Sequence, residues 1–386
     1  MDSNPITGRP GSAAARILIA PDKFKGSLTA GEVAEAIARG MRHVDRDLYL
    51  DCCPVADGGE GTLDAARSAG YQLKQVTVEG PTGDPVRAEY GWLRDEALIE
   101  LAQAAGLRLL NNRLAPLRAS TFGVGQLVND AIDEGKRTIV LAIGGSASSD
   151  GGAGLVQALG ADLLDADGRT LERGGQALAR IDRIDLSKMR ARLDGITFVV
   201  ASDVTNPLLG LYGAATVFGP QKGATAEDVE TLERSLARWA SVVAKATGVD
   251  ARNYQGAGAA GGVGFGAIAL LGATFKPGAD KVFEMVKFSD RLEKASLVVT
   301  GEGLLDKQTL FGKTPVRVAN AARAAGVPTV AVVGKCMVSE SDLIAVGIRR
   351  VYSLQTLEPD RLQSMARASY LLERMGEQVA TVELVP

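Results

Sequence analysis

The sequence predicts an α/β protein in which a doubly wound parallel sheet is interrupted by an inserted second α/β domain. Apolar, β-branched runs near both ends of the chain and in its middle pass straight into loops rich in glycine and acid, and each loop opens a helical pattern. Between them, Leu73 to Glu100 alternates polar and apolar residues in short stretches split by PTGDP and RDE, as an antiparallel meander does. The glycines, 46 in 386 residues, gather in a few loops and mark no repeat, which points to close approach of backbone to ligands.

Met1 to Ala15 is rich in Ser, Pro and Gly without an apolar core of signal-peptide length, and is expected to be a disordered extension. Arg16 to Pro21 reads as a strand, and Thr29 with Glu32 forms a capping box that opens a helix to about Arg42. DKFKGS between them sets Asp22, Lys23, Lys25 and Ser27 at the carboxyl end of a strand, where open α/β sheets bind ligands. A second strand, Leu48 to Val55, leads into ADGGEGT, where Asp57 and Glu60 flank Gly58 and Gly59. The densest stretch runs from Arg137 to Leu159: a strand covered on both faces, then Gly144, Gly145, Ser146, Ser148, Ser149, Asp150, Gly151, Gly152 and Gly154, then a helix. Unobstructed amides, hydroxyls and the positive end of that helix suit an anion such as a phosphate. A tight turn that binds nothing is the alternative.

Ile196 to Ala201 is a strand ending in SDVTNPLLG, with Asp203 and Asn206, and Lys222 follows in FGPQKGA. Thr225 and Asp228 cap a long amphipathic helix that Gly248 stops. Gly256, Gly258 and Gly261 have the spacing of a dinucleotide fingerprint, but VDARNYQ before them is no core strand. Ala295 to Thr300 is a buried strand that delivers GEGLLDKQTLFGKT into a loop. Gly312, Lys313 and Thr314 imitate the end of a P-loop, whose first glycine is replaced by Lys307, so a P-loop is rejected. A strand from Val327 to Gly334, a helix, the strand RRVYSL and a terminal amphipathic helix complete the chain. The expected division puts 16–70 with 120–160 and 290–386 in the doubly wound domain, and 71–119 with 161–289 in the inserted one.

A net charge of −3 provides no basic field for nucleic acid or an anionic membrane surface, and no run of 18 apolar residues exists. Cys52, Cys53 and Cys336 are too few and wrongly spaced for a zinc site or a disulfide framework, which fits a reducing compartment. The single histidine, His43, lies at a helix end and reads as a solvated or capping group. What stands out is a set of acids in loops, Asp22, Asp57, Asp150, Asp203, Glu302 and Asp306, accompanied by Lys25, Lys222 and Lys313. Carboxylates, lysines and glycine amides are what phosphoryl transfer requires: Mg²⁺ ligands, cations for developing charge, donors for phosphate oxygens and a base for the attacking hydroxyl.

The motifs APDKFKGSLTA, PVADGGEGT, IGGSASSDGGAG, DVTNPLLG, FGPQKGA, GAGAAGG and TGEGLLDKQTLFGKTP, in this order from about Ile17 to the C-terminus, resemble the bacterial glycerate kinase family in its type 1 branch. The resemblance implies a cytoplasmic enzyme that phosphorylates D-glycerate with ATP and Mg²⁺, with 2-phosphoglycerate favoured as product. It implies two α/β domains, one Rossmann-like and discontinuous, with the active site in the cleft between them. Loop chemistry and resemblance together assign Asp22, Lys25, Asp203 and Lys222 as catalytic, Lys25 and Lys222 being the expected cationic clamp. Substrate or phosphate contacts are expected from Ser27, Asp57, Gly58, Gly59, Glu60, Gly144, Gly145, Ser146, Ser149, Asp150, Asn206, Gly261, Gly262 and Lys313, and metal contacts from Glu302 and Asp306. Leu304 and Phe311 stand where the family usually carries arginine and histidine. No nucleic-acid or membrane partner is expected, and a homodimer is left open. The competing readings are a nicotinamide-dependent dehydrogenase of a small hydroxy acid, resting on Gly256 to Gly261, and a non-enzymatic anion-binding protein.

Overall fold

The computed structural model describes residues 15–310 and 312–384, so Phe311 and the expected extension up to residue 14 lie outside the described residues. Strands β1 (Arg16–Pro21) and β2 (Tyr49–Cys52) are followed by β3 (Gln72–Glu79), β4 (Pro85–Leu93), β5 (Glu96–Glu100) and β6 (Thr138–Ala142). The short β7 (Asp162–Leu164) and β8 (Arg183–Asp185) precede β9 (Thr197–Ala201) and β10 (Thr274–Lys276). The chain closes with β11 (Leu297–Leu305), β12 (Thr329–Cys336) and β13 (Ile348–Ser353). Two compact units result. One comprises the chain up to Asp57, Asp64–Ala69 and everything from Val282 on, and the other Gly58–Leu63 with Gly70–Lys281.

In the first unit the sheet order is β13-β12-β11-β1-β2, all parallel. Ile17, Leu18, Ile19, Leu297 to Val299 and Val330 to Val333 are fully buried because helices cover both faces, which is why these strands read as unbroken apolar runs. β1 connects onward to β2 on one side, while β11 connects to β12 and β13 on the other. The order in which strands are added across the sheet therefore reverses between β1 and β11, the switch point at which doubly wound sheets open a ligand crevice at their carboxyl ends. The helix Ala30–Val44 starts at the expected Thr29–Glu32 capping box and packs on the terminal helix Ala368–Glu383. His43 is exposed in its last turn, 3.1 Å from Glu377.

The second unit carries the order β10-β9-β6-β5-β4-β3. β3, β4 and β5 form the expected antiparallel meander, and β5, β6, β9 and β10 run parallel. Trp239 of the helix Ala226–Thr247 is fully buried and its indole donates to the Gly151 carbonyl at 3.1 Å. That helix begins at the Thr225–Asp228 capping box and ends at Gly248 in the left-handed region, as the sequence indicates.

Three expectations are corrected. Residues 120–160 do not join the terminal segments: β6 is hydrogen-bonded to β5 on one side and β9 on the other, so the glycine–serine loop belongs to the second unit. Gly58–Leu63 also belongs to that unit, although β2, which precedes it, belongs to the first, and Val282 rather than residue 290 begins the return to the first unit. β11 continues past Thr300 to Leu305, because Glu302, Leu304 and Leu305 keep pairing with Val333, Lys335 and Cys336 of β12. Glu302 is thus a strand residue.

Candidate functional site

In the first unit the acids gather at the β1/β11 switch point. The Asp22 amide donates to the Gly301 carbonyl at 2.8 Å, which fixes the residue at the end of β1 beside β11. Its carboxylate accepts from the Lys23 amide at 2.7 Å and from the Thr314 hydroxyl at 2.9 Å. Burial raises the Asp22 pKa, the Lys23 ammonium opposes that, and the Asp57 charge adds to it. Glu302, between Gly301 and Gly303, buries its Oε1 without a hydrogen-bond partner. Desolvation pushes this carboxyl up to about 7, against the Thr309 hydroxyl and the Lys313 charge, with Asp22 and Asp306 adding repulsion.

Asp306 is in a different situation. Its Oδ1 accepts from the Gln308 amide at 2.9 Å and the Thr309 amide at 3.2 Å, and Lys313 Nζ lies 3.5 Å away, so the carboxylate caps the short helix Lys307–Leu310. Desolvation pulls its pKa upward, but the Thr309 amide and Lys313 outweigh it and the net direction is down. A Cβ on Gly303 would lie 3.5 Å from the Lys25 amide, so the Lys25 loop passes directly over β11. Lys25 is exposed, Ser27 donates its hydroxyl to the Met365 carbonyl at 3.0 Å, and Leu304 is exposed.

In the second unit the glycine–serine loop is built from the inside. Asp150 is fully buried and accepts from the Thr121 amide and hydroxyl at 2.8 Å each and from the Gly152 and Gly154 amides at 3.2 Å. Desolvation nonetheless raises its pKa. Four donors turn this acid into the interior brace of the loop. Lys222 is buried as well: its Nζ donates to the Ser148 carbonyl, and burial lowers its pKa to about 8 against the attraction of Asp150. The expected clamp therefore divides into an exposed Lys25 and a Lys222 that grips loop backbone. Ser149 is fully buried with its hydroxyl unpartnered, and Ser146 Oγ lies 3.0 Å from Ser148 Oγ.

Ala260, Gly261 and Gly262 all take left-handed conformations, with φ of 53°, 70° and 91°. They press on this loop so closely that a Cβ on Gly261 would lie 2.0 Å from the Ser148 carbonyl oxygen. At the carboxyl edge of the same sheet, the Gly144 amide donates to the Gly58 carbonyl at 3.4 Å, and a Cβ on Gly144 would meet Gly59 Cα at 2.5 Å. Glu60 pairs with Arg108 at 2.5 Å. Asp203 is exposed and its Oδ1 accepts from the Gly278 amide at 3.1 Å, while Asn206 donates to the Tyr212 carbonyl at 2.9 Å.

The expected residues thus form two groups: Asp22, Lys25, Ser27, Asp57, Glu302, Asp306 and Lys313 in the first unit, the rest in the second. Sequence reading missed Glu100, which is buried and accepts from the Gly61 and Leu63 amides at 3.1 Å each, and Thr121, Thr309 and Thr314, which hold acids. Thr309 and Thr314 lie inside a motif already singled out; an acid closing a strand was the only signal for Glu100. Among the described residues no three His, Cys, Asp or Glu side chains form a ready-made metal cage, and no helix is long and apolar enough to cross a membrane. Gly256 follows no strand, so the dinucleotide fingerprint lacks its βα setting.

The model of the glycerate kinase family matches residues 17–383. The chain is 43% identical over 370 residues to a glycerate kinase of Halalkalibacterium halodurans, covering 95% of this chain and 97% of that one. It is 42% identical over 345 residues to glycerate 2-kinase of Escherichia coli, covering 88% and 91%. A solved structure from Salmonella typhimurium LT2, assigned as a glycerate kinase 2, superposes with a TM-score of 0.83 at 40% identity over 96% of this chain and 98% of that one.

Proposed function

Because the chain belongs to the glycerate kinase family, we propose that it transfers the γ-phosphoryl group of ATP to D-glycerate in the presence of Mg²⁺, with 2-phosphoglycerate and ADP as products. The observation that carries this reading is Glu302. A carboxyl with a buried, unpartnered oxygen, grouped with Asp22 and Asp306 at a switch point, is costly to the fold and useful only to an incoming donor or cation. Hard carboxylate oxygens suit Mg²⁺, which is commonly held by one or two carboxylates together with substrate phosphates. Glu302 and Asp306 are its proposed ligands, and the ion supplies charge neutralisation on the phosphates.

Asp22, whose affinity for a proton is raised by burial, takes the proton of the attacking hydroxyl as the new P–O bond forms and the bond to ADP breaks. Lys25 and Lys313 balance the phosphate and carboxylate charge. In the second unit the amides of Gly58, Gly59 and Gly145 with the hydroxyls of Ser146 and Ser149 are the proposed phosphate or substrate donors, with Gly144 giving the close backbone approach beside them, accompanied by Ser27 and Asp57 of the first unit and by Glu60, Asp203 and Asn206. Asp150, Lys222, Gly261 and Gly262 hold that loop in shape. We further propose a cytoplasmic address and leave a homodimer as a reading for size measurement in solution.

The test is ADP release on mixing the protein with ATP, Mg²⁺ and D-glycerate, with excess EDTA and with NAD in place of ATP as parallel arms, and ³¹P NMR of the product. ADP release that stops in EDTA, and a phosphate on the 2-hydroxyl, are expected. Unchanged release in EDTA removes the metal reading, a 3-phosphate removes the product reading, and reduction of NAD reinstates the dehydrogenase.

A further inference from the structure

The second unit contains a cavity of about 600 Å³ that includes none of the residues discussed above as substrate, phosphate or metal contacts. That volume lies within the range of small-molecule sites. Its walls come from the turn between β3 and β4, the entry to the helix Phe122–Asp133 and the segment Glu172–Arg180. Three arginines line it against two acids. Arg173 pairs with Glu79, Arg180 pairs with Glu172 at 3.3 Å, and the Arg118 guanidinium has no acid partner among the described residues.

Beside these cations Pro81, Leu117, Phe122 and Ala177 supply apolar wall, with Thr82, Ser120, Gln176 and Thr231 as the polar remainder. The Arg173 guanidinium sits over one of the apolar side chains, its Cζ 3.4 Å from the Phe122 ring centroid. A guanidinium over an arene joins a donor fork for an oxyanion to an aromatic surface on which a flat ring is at home. An excess of guanidinium over carboxylate in a partly apolar cavity selects an anion that also brings apolar area, which glycerate itself lacks.

We propose that this cavity binds a small phosphate ester carrying a flat ring, its phosphate held by Arg118, Arg173 and Arg180 and its ring set against Phe122, Pro81 and Leu117. The occupant would touch the support of the glycine–serine loop: Thr121, adjoining two lining residues, donates twice to Asp150, and a Cβ on Gly175 would meet the Ser149 carbonyl oxygen at 2.2 Å.

Phenyl phosphate is a suitable probe, since it carries the ring and the phosphate without a nucleotide, and inorganic phosphate and phenol isolate the two halves. In isothermal titration of the whole protein, one phenyl phosphate per chain is expected, with phosphate and phenol each at least about tenfold weaker. Arg118→Gln and Arg180→Gln, both at exposed positions, should each weaken phenyl phosphate about tenfold or more, the loss expected for a charge-assisted contact, with the melting temperature unchanged. No binding, or binding indifferent to both substitutions, overturns the site. Equal affinity for inorganic phosphate overturns the ring, and equal affinity for phenol overturns the arginines.

Discussion

Glu302 and Asp306 stand close together in the sequence and carry their charges in opposite circumstances. Asp306 has backbone amides and a lysine to satisfy it, and its pKa falls; Glu302 has a buried oxygen with no donor, and its pKa rises to about 7. A raised acid is at ease when protonated, so its contribution to stability is complete below the ordinary value of 4.5 and is lost as pH climbs through about 7. Glu302→Gln removes that loss. Melted without Mg²⁺ or nucleotide, the variant should be more stable than the parent at pH 8, by on the order of 3 kcal/mol at most, and about equal to it at pH 4.5, while its turnover collapses. A melting difference that does not change with pH would show that the carboxyl is not buried as described. Asp306→Asn should cost about 1 kcal/mol or less, since asparagine also caps, and so separates the two roles. If Asp306 also holds Mg²⁺, the variant's Mg²⁺ requirement shifts several-fold; an unchanged titration leaves it a cap alone.

The run Ala260 to Gly262 is where a backbone shape, more than any side chain, sustains the site. Gly261→Ala places a methyl group 2.0 Å from the Ser148 carbonyl oxygen and asks a substituted residue to keep φ at 70°. Urea denaturation should show a loss of about 2–4 kcal/mol, whereas Ala260→Gly, already left-handed with a side chain, should cost about 1 kcal/mol or nothing. A Gly261→Ala variant as stable as the parent would mean that the run does not press on the loop. This region reads in sequence only as glycine-rich, because spacing is silent about left-handed backbone. The capping boxes at Thr29 and Thr225 were legible because a cap is a bond between near neighbours. The extent of β11 was not: Gly-Glu-Gly looks like a loop, and it is pairing with β12, joined at Gly301 by β1, that keeps it extended. For the same reason the sequence does not tell which sheet β6 joins, since a strand covered on both faces looks alike in either sheet and its neighbours are chosen by distant residues. The acids and lysines of the site were legible as types, while the burial of Lys222 and Asp150 depends on segments far away in the chain.

At the scale of the molecule, each unit closes a core of its own. A large buried cluster, from Val78 to Ala269, lies wholly within Gly70–Lys281, and all six strands of its sheet come from the same stretch. The other unit is built from both chain ends: β11 lies between β12 and β1, and the helix Ala368–Glu383 packs on Ala30–Val44. Opposite behaviour follows for two fragments. Residues 70–281 should fold alone and melt cooperatively, because their apolar area is buried among themselves. They should melt below the parent, since Glu100 loses the amides of Gly61 and Leu63 and a buried acid that gives up two donors is expensive. Residues 282–384 should not melt cooperatively, because β11 then exposes an edge and the terminal helix loses the partner that covers Leu372, Met375 and Val379. Circular dichroism in the near and far ultraviolet through a thermal ramp reads both. A molten 70–281 fragment, with secondary structure but no fixed aromatic signal, would contradict a self-contained core around Trp239, and a cooperative transition in 282–384 would contradict the dependence of the terminal sheet on β1.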